Sequence, residues 1–288
     1  MKSIKLNSFT KINLYLEIGE TREDNYHNIR TIMTKTDFGD TIIVKYEENR
    51  VFRVNIKCNK IEIPLDSRNT VYKMLSYLND IKPLNYEFDI HLKKNVPVQA
   101  GLGGASGDGA AIGQWILSKA EFGYNRDDML KAAIKTGADV PFFFEKGIVE
   151  MGGIGEKVIE RYCLFDMYFI VVKVRNINIA TDWAYKNYKK HLTNYNDRIN
   201  IMRNSLVNKD INGVAAALMN DFEPLVTEKY GELKSIKSEL LKNGILGTSL
   251  TGSGSAIFGI VKNYNEAIEI KKRLMFQNTD VVVCRAVL

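Results

Sequence analysis

The residues best suited to chemistry form a glycine-rich segment at positions 96–107, with glycines at 101, 103, 104 and 107. A strand pattern precedes this segment and a helix pattern follows it. Glycine permits sharp turns in which backbone N–H groups point inward, and the N-terminus of the following helix adds partial positive charge. These features predict a binding site for polyphosphate. From the segment alone, a flexible turn whose glycines relieve crowding is an equally good interpretation.

Two common nucleotide-binding motifs are excluded for this segment. No Gly-Lys-Ser or Gly-Lys-Thr sequence closes it, so it is not a Walker A loop. Ser106 stands where the last glycine of GxGxxG belongs, which removes support for a dinucleotide-binding fold.

Hydrophobic periodicity predicts mixed α/β structure around the segment. Alternating apolar residues indicate half-buried strands, and apolar residues at i, i+3, i+4 and i+7 indicate one face of a helix. In chain order the predictions are a strand at 52–57, a helix at 71–78 capped by Asn69 or Thr70, a strand at 86–92, a helix from the glycine-rich segment through 116, a helix from 125, a strand at 167–174, a largely helical middle, a strand at 256–261, a helix at 267–276 and a strand at 281–287.

A change of sequence texture after Gly152 and Gly153 predicts two domains, 1–153 and 154–288. No low-complexity linker separates them, so we expect the domains to pack closely and to leave a cleft. The length of 288 residues agrees with roughly 150 residues per domain.

Composition excludes several classes of protein. With 45% hydrophobic and 26% charged residues, the chain is neither wholly disordered nor a disulfide-stapled miniprotein. The spacing of Cys58, Cys163 and Cys284 gives no zinc site or disulfide framework, which predicts a cytoplasmic protein. We identify neither a signal peptide nor an apolar run of about 18 residues that would predict a membrane span.

The charge balance leaves nucleic acid open as a partner. A net charge of +6 and an isoelectric point near 9.0 favour anions. The densest basic group, with Tyr185 and Tyr188 between its members, consists of Lys186, Lys189, Lys190 and His191. We interpret it as a solvated helix face, with RNA contact as the alternative. A non-catalytic nucleic-acid-binding protein is therefore the hypothesis from another functional class.

The sequence PVQAGLGGASGDGAA at 97–111 resembles PxxxGLGSSAA, the phosphate-binding motif of the GHMP small-molecule kinases. Four further segments occur in the order and approximate spacing of that family: KINLYL at 11–16, YH at 26–27, GADVPF at 137–142 and LTGSG at 250–254. The resemblance covers nearly the whole chain. It implies an α+β fold with a ribosomal-protein-like N-terminal domain and a ferredoxin-like C-terminal domain, with ATP and acceptor meeting in the cleft.

The resemblance implies that Asp139 is the catalytic base and that Lys11 stabilises the transferred phosphoryl group. Without it, Asp139 could cap a short helix and Lys11 could be an exposed strand residue. Ser106 is implied as a ligand of Mg²⁺, direct or through water. The residues implied to bind ATP are Asn69, Thr70, Lys94, Pro97, Gly101, Leu102, Gly103, Gly104, Ala105, Ser106 and Gly107.

For the acceptor, the resemblance implies a cytidine-diphosphate-linked methylerythritol, phosphorylated at its 2-hydroxyl in isoprenoid precursor synthesis. Another GHMP kinase with a different alcohol acceptor is the alternative. Tyr26 and His27 would hold the cytosine, and Tyr185 would stack on its other face. Taken alone, His27 could be an ordinary loop residue, and the second glycine motif an ordinary turn. The remaining implied acceptor residues are Asn13, Thr181, Thr251, Gly252, Ser253 and Gly254.

The sequence departs from the family pattern at two places. Asn25 replaces the usual glycine before Tyr26, and Gly107 and Gly109 replace a serine and an alanine. Each glycine in a helix costs up to about 1 kcal/mol relative to alanine. We therefore expect a weakened helix and either a slow reaction or a different substrate. The resemblance further implies a small-molecule partner, neither nucleic acid nor membrane, and a monomer or homodimer.

Overall fold

The structure is a computed structural model that describes residues 1–24, 26–189 and 195–288. Asn25, Lys190 and His191 lie outside the described residues, together with what the sequence predicts for them. The strands are β1 (Lys2–Asn7), β2 (Thr10–Thr21), β3 (His27–Thr36), β4 (Thr41–Glu48), β5 (Arg53–Cys58), β6 (Tyr86–Lys93), β7 (Ile148–Gly152), β8 (Lys157–Tyr162), β9 (Tyr168–Val174), β10 (Met219–Asn220), β11 (Gly247–Leu250), β12 (Ile257–Val261) and β13 (Thr279–Val287).

The α-helices lie between these strands along the chain. They are α1 (Thr70–Ile81), α2 (Gly104–Leu117), α3 (Arg126–Thr136), α4 (Thr181–Asn187), α5 (Tyr195–Asn208), α6 (Ile211–Ala217), α7 (Glu223–Lys229), α8 (Gly231–Lys242) and α9 (Tyr264–Arg273). Short 3₁₀ helices occur at Ala120–Phe122 and Pro141–Phe144. Along residues 1–24, 26–189 and 195–288, no helix combines the length and the apolar character needed to span a bilayer.

The chain forms two compact units, each assembled from separate stretches. The first unit comprises Met1–Thr10, Gly39–Val96 and Gly103–Glu145, and the second comprises Lys11–Phe38, Pro97–Leu102 and Lys146–Leu288. The division of the sequence at 153 into two consecutive domains stays a prediction.

The first unit contains a four-stranded sheet in the order β1-β4-β6-β5. Strand β5 runs parallel to β6, and the other pairs are antiparallel. Helices α1, α2 and α3 pack against one another. The predicted apolar face of α1 is buried and the Asn69 side chain caps that helix, as expected from its spacing. An aromatic core formed by Tyr46, Phe88, Trp115 and Phe122 lies between the sheet and α2.

The second unit contains the larger sheet, in the order β10-β2-β3-β13-β9-β12-β11, with β7 paired to both β3 and β8. Strand β9 is almost wholly buried, and it lies between β12 and β13. Apolar residues of β9 pack with residues of α7, α8 and α9. This arrangement places the start of β2 and the loop between β11 and β12 in the same unit.

Candidate active site

The glycine-rich segment has the backbone conformation that an anion site requires. Gly101 and Gly103 have φ angles of 74° and 66°, in the left-handed region that favours glycine. Helix α2 begins at Gly104, and its N-cap residue Gly103 offers no side-chain hydrogen bond. The first N–H groups of a helix have no partner within the helix, so this terminus presents donors and the positive end of the helix dipole. This conformation would suit a phosphate group, and binding of the ATP phosphates here stays a prediction.

The two unexpected glycines of α2 are explained by close packing inside the first unit. A Cβ atom added at Gly107 would lie 2.0 Å from the carbonyl oxygen of Phe9. One added at Gly109 would lie 3.2 Å from the carbonyl oxygen of Thr70. Helix α2 continues across both positions.

We predict that Gly107→Ser, which restores the usual residue of the family, destabilises this protein. The added side chain meets a backbone oxygen that cannot rotate away, and such overpacking costs about 1–3 kcal/mol. Urea denaturation measures the change in the free energy of unfolding. Ala105→Ser, on an exposed position of the same helical turn, is the control and is expected to unfold like the parent. A Gly107→Ser variant as stable as the parent would contradict the packing argument.

Lys94, predicted to bind ATP, is held in a buried ion-pair network of the first unit. Its side chain is 5% exposed, and its ammonium lies 2.6 Å from Oδ2 of Asp108 and also contacts Asp40. Burial lowers the pKa of Lys94, but the two carboxylates raise it by more, so the net shift is upward. Burial raises the pKa of Asp108 to about 6, against the opposing effect of Lys94. The other oxygen of Asp40 accepts hydrogen bonds from the N–H groups of Asn95 and Val96. The network therefore joins α2 to the chain entering the glycine-rich segment.

Asn69 and Thr70 also have structural partners. The amide oxygen of Asn69 accepts from the N–H of Val71 at 2.9 Å, and its amide nitrogen donates to the carbonyl of Pro64 at 2.7 Å. The hydroxyl of Thr70 donates to the carbonyl of Ala105 at 2.5 Å. These bonds position the starts of α1 and α2, and contact of either residue with ATP stays a prediction.

Asn13 is the centre of the polar network in the second unit. Its Oδ1 accepts hydrogen bonds from the Lys11 ammonium at 2.5 Å and the Gly252 N–H at 2.8 Å. The Thr251 hydroxyl lies 3.2 Å from the same oxygen, and the Asn13 amide nitrogen donates to the Thr31 hydroxyl. Lys11 is 3% exposed, so the interpretation as an exposed strand residue is wrong. Strand β2 brings two predicted residues to the second glycine motif.

Gly252 is required at its position for two reasons. Its φ angle is 55°, and a Cβ atom there would lie 2.8 Å from the carbonyl oxygen of Gly101, a backbone atom that cannot move aside easily. Gly254 also has a positive φ, and its N–H donates to the Thr251 carbonyl. The second motif is therefore a tight turn that packs against Gly101, and its part in binding the acceptor stays a prediction.

The first part of the glycine-rich segment lies against this turn. A Cβ atom at Gly101 would lie 2.0 Å from the Thr251 carbonyl oxygen, so only glycine permits the approach. The N–H of Ala256 donates to the Ala100 carbonyl at 3.1 Å, and the Lys11 N–H donates to the Leu102 carbonyl at 2.9 Å. Segments that are about 150 residues apart in sequence are thus hydrogen-bonded neighbours.

Aromatic rings gather at the start of β3 and the end of α4. The His27 and Tyr185 rings are stacked, with centroids 5.6 Å apart and planes 19° apart. Tyr188 meets the His27 ring edge-on, and Phe222 packs edge-on against both tyrosines. By contrast, Tyr26 is 60% exposed and makes no ring contact with the described residues. The structure brings together two of the three residues expected to hold a pyrimidine.

Two further predicted residues meet beside the second glycine motif. The hydroxyls of Thr181 and Ser253 are 3.2 Å apart. Thr181 is the first residue of α4, the helix that carries Tyr185. These contacts place a short row of hydroxyl donors near the turn at 251–254.

Asp139 lies in the first unit, on the turn after α3, and is partly exposed. The N-cap residue of the following helix, Pro141–Phe144, is Val140, whose own side chain makes no capping hydrogen bond. Asp139 is therefore not the cap considered as the alternative to catalysis. Its catalytic role stays a prediction.

The described residues include no group of three or more His, Cys, Asp or Glu side chains that could hold a metal ion. Ser106 is partly exposed in the first turn of α2. Mg²⁺ keeps several waters and binds substrate phosphates alongside few protein ligands, so one hydroxyl with solvent access fits its needs. The three cysteines are free, as their spacing predicts.

Sequence reasoning missed several residues of this region. Asn220 donates its amide hydrogens to the carbonyls of Leu250 and Gly252 and so fixes the second glycine motif. Tyr188 was noted only as a neighbour of basic residues, and Phe222 was not considered. A signal for this region was present in the sequence. Asn220 and Asp221 lie just before Pro224 at the start of α7, and polar residues before a proline indicate a turn.

Two family models match the chain. One, described as the N-terminal domain of GHMP kinases, matches residues 69–147, and one described as the C-terminal part matches residues 202–278. Together they include the glycine-rich segment after residue 96, Asp139 and the second glycine motif.

Curated relatives extend the match over the whole chain. The 4-diphosphocytidyl-2-C-methyl-D-erythritol kinase of Thermoanaerobacter pseudethanolicus is 32% identical, with 97% of each chain covered. The enzyme of the same name from Chlorobium chlorochromatii is 32% identical over 92% of this chain and 90% of the relative.

Solved structures agree on the fold. A crystal structure of 4-(cytidine 5'-diphospho)-2C-methyl-D-erythritol kinase aligns with a TM-score of 0.80 and 21% identity, covering 99% of this chain and 100% of the other. Homoserine kinase from Cytophaga hutchinsonii aligns with a TM-score of 0.79 and 18% identity, covering 100% of this chain and 96% of the other. The resemblance and the fold class are therefore confirmed, and the chain belongs to the GHMP kinase family, within the family of 4-diphosphocytidyl-2-C-methyl-D-erythritol kinases.

Proposed function

We propose that this protein transfers the γ-phosphoryl group of ATP to the 2-hydroxyl of 4-diphosphocytidyl-2-C-methyl-D-erythritol, in the non-mevalonate route to isoprenoid precursors. The family consists of ATP-dependent phosphotransferases, which supports ATP as the donor. The observation that carries the proposal is the Asn13 network, in which one amide oxygen accepts from Lys11 and from the second glycine motif. We further propose that its only substrate partners are small molecules, that it is a monomer or a homodimer, and that it acts in the cytoplasm.

The proposed mechanism relies on position and charge rather than on covalent chemistry. The backbone N–H groups at the start of α2 would bind the triphosphate. Lys11 would stabilise the negative charge that develops during transfer, and Asn13 orients its ammonium. Asp139 would accept the proton of the acceptor hydroxyl. Pro97, Gly101 and Leu102 would shape the segment that approaches the nucleotide.

Ser106 is proposed as a ligand of Mg²⁺, directly or through water. The ion, when bound, supplies charge neutralisation on the phosphates. The hydroxyl of Ser106 would then help to hold the phosphate chain in one register along α2.

The acceptor would bind through its base and its diphosphate. His27 and Tyr185 already stack on each other, which supports a site that accepts a flat ring beside them. Tyr26 would close on the base from its exposed position. Thr181 and Ser253 would hydrogen-bond the anionic part, and the turn formed by Thr251, Gly252 and Gly254 would hold Ser253 in position.

A coupled ADP-release assay with this acceptor tests the proposal directly. We expect turnover with the cytidyl substrate and none with homoserine or mevalonate. Turnover with another alcohol but not with the cytidyl substrate would leave the family in place and remove the substrate assignment.

Tyr185→Ala separates this substrate from other acceptors. Loss of a stacking partner costs about 1–3 kcal/mol per base, so the KM for the cytidyl substrate should rise about tenfold or more while the KM for ATP is unchanged. Trp183→Ala removes an aromatic ring from the same helix and is the control, since its ring packs on Lys229 instead. An equal KM for the acceptor in both variants would argue against cytosine stacking.

A further inference from the structure

Lys173 is a buried cation that the proposed mechanism does not use. It lies on β9 in the second unit and is 2% exposed. Its ammonium donates to the carbonyls of Val174 and Ile177 and to Oδ1 of Asn178. Among the described residues, no carboxylate lies within ion-pair distance of it. Asp280, opposite Lys173 in the β9–β13 register, forms its ion pair with Arg175 instead.

A buried ammonium held only by neutral oxygens is costly to maintain. Burial lowers the pKa of Lys173 to about 8, and the charge of Asp280 offsets this only in part. Methionine would fill the same space without the buried charge, but it would remove the donor that Lys173 supplies to the carbonyls of Val174 and Ile177 and to Oδ1 of Asn178. The energetic cost of the buried charge is therefore set against the groups that its hydrogen bonds hold in place.

The acceptors of Lys173 connect it to the candidate acceptor site. The Ile177 carbonyl accepts from Lys173 and also from the Ser255 hydroxyl. Ser255 directly follows the second glycine motif, and Ile177 lies four residues before Thr181. Thr181 and Ser253 are in turn joined through their hydroxyls. One carbonyl, bound by Lys173, thus fixes the two segments that carry the predicted diphosphate contacts.

We propose that Lys173 is a positioning residue and a buried positive charge that give the acceptor site its affinity for a diphosphate. This inference rests on the proposed function, because it assigns the anionic part of the acceptor to the segments around Thr181 and Ser253. A charge in a low-dielectric interior acts over a longer distance than one in water, so the ammonium can attract an anion that it does not touch. The hydrogen bonds to the Ile177 carbonyl keep the hydroxyls in place for direct contact.

The test compares binding of cytidine diphosphate with binding of cytidine, by calorimetry on the full chain. For Lys173→Met we expect affinity for cytidine diphosphate to fall about tenfold and affinity for cytidine to stay within about twofold. In turnover, the KM for the acceptor should rise and the KM for ATP should not. A merely structural role would lower affinity for both ligands alike.

Ser255→Ala is the matched variant, because it removes the other donor to the Ile177 carbonyl and keeps the charge. We expect a smaller loss of cytidine diphosphate affinity, about threefold, again without effect on cytidine. If Lys173→Met does not fold, this variant decides: unchanged affinity for cytidine diphosphate overturns the proposal. A folded Lys173→Met with unchanged preference for cytidine diphosphate overturns it as well. Failure of the parent protein to bind either ligand would instead overturn the proposed function.

Discussion

Replacing Asp139 by asparagine is expected to lower kcat by about 10²–10⁴-fold, because the acceptor hydroxyl then loses its proton acceptor. Asparagine has nearly the same shape as aspartate and cannot accept a proton at neutral pH. Asp139 is partly exposed on the turn that follows α3, so the substitution neither buries a new group nor opens a cavity. Stability should therefore change little, and the KM values for ATP and acceptor should stay within about threefold.

The control for this variant is Asp127→Asn, which removes the same charge from the exposed first turn of α3 in the same unit. It should retain full kcat. Steady-state ADP release gives kcat and both KM values, and circular dichroism confirms the fold. If Asp139→Asn keeps more than about a tenth of the parent kcat, another group takes the proton and the assignment of the base is wrong.

Periodicity predicted the elements that have one buried face. Strand β6 alternates buried Phe88, Ile90 and Leu92 with more exposed residues, and α1 buries one stripe, so both follow from spacing alone. Periodicity does not predict β2, because nearly all of its first residues are buried and leave no alternation to detect. The assignment of β2 and β3 to the second unit depends on pairing across the sheet, which sequence spacing does not contain.

The order of the motifs along the chain predicted the candidate site better than the chemistry of individual residues did. The left-handed glycines at 101 and 103 follow from the local sequence, since few other residues adopt that conformation. Contact between Gly101 and Thr251 could not be predicted physically, because it depends on how β2, β11 and β12 are arranged. At Gly107 the structure explains a residue that the sequence alone makes unfavourable. Glycine lowers helix stability, but the Phe9 carbonyl approaches so closely that a larger residue would clash with it.

The resemblance implies that Lys94 binds ATP, whereas in the structure its side chain is buried in an ion-pair network. Its ammonium is shared by two buried carboxylates, Asp40 and Asp108. Removing the cation leaves both of them buried without a counter-charge, and breaking a buried pair in this way costs about 3–5 kcal/mol. We therefore expect Lys94→Met to lower the free energy of unfolding by that amount, as measured by urea denaturation.

Two further variants separate this effect from nucleotide binding. Lys82→Met removes a lysine from an ion pair with Asp128 at the surface of the same unit, and it should change stability far less. Combining Lys94→Met with Asp108→Asn should recover part of the lost stability, because one of the two unpaired charges is removed. If Lys94→Met instead unfolds like the parent and raises only the KM for ATP, the ammonium acts on the nucleotide and the buried network is not what holds α2 against the chain at 95–96.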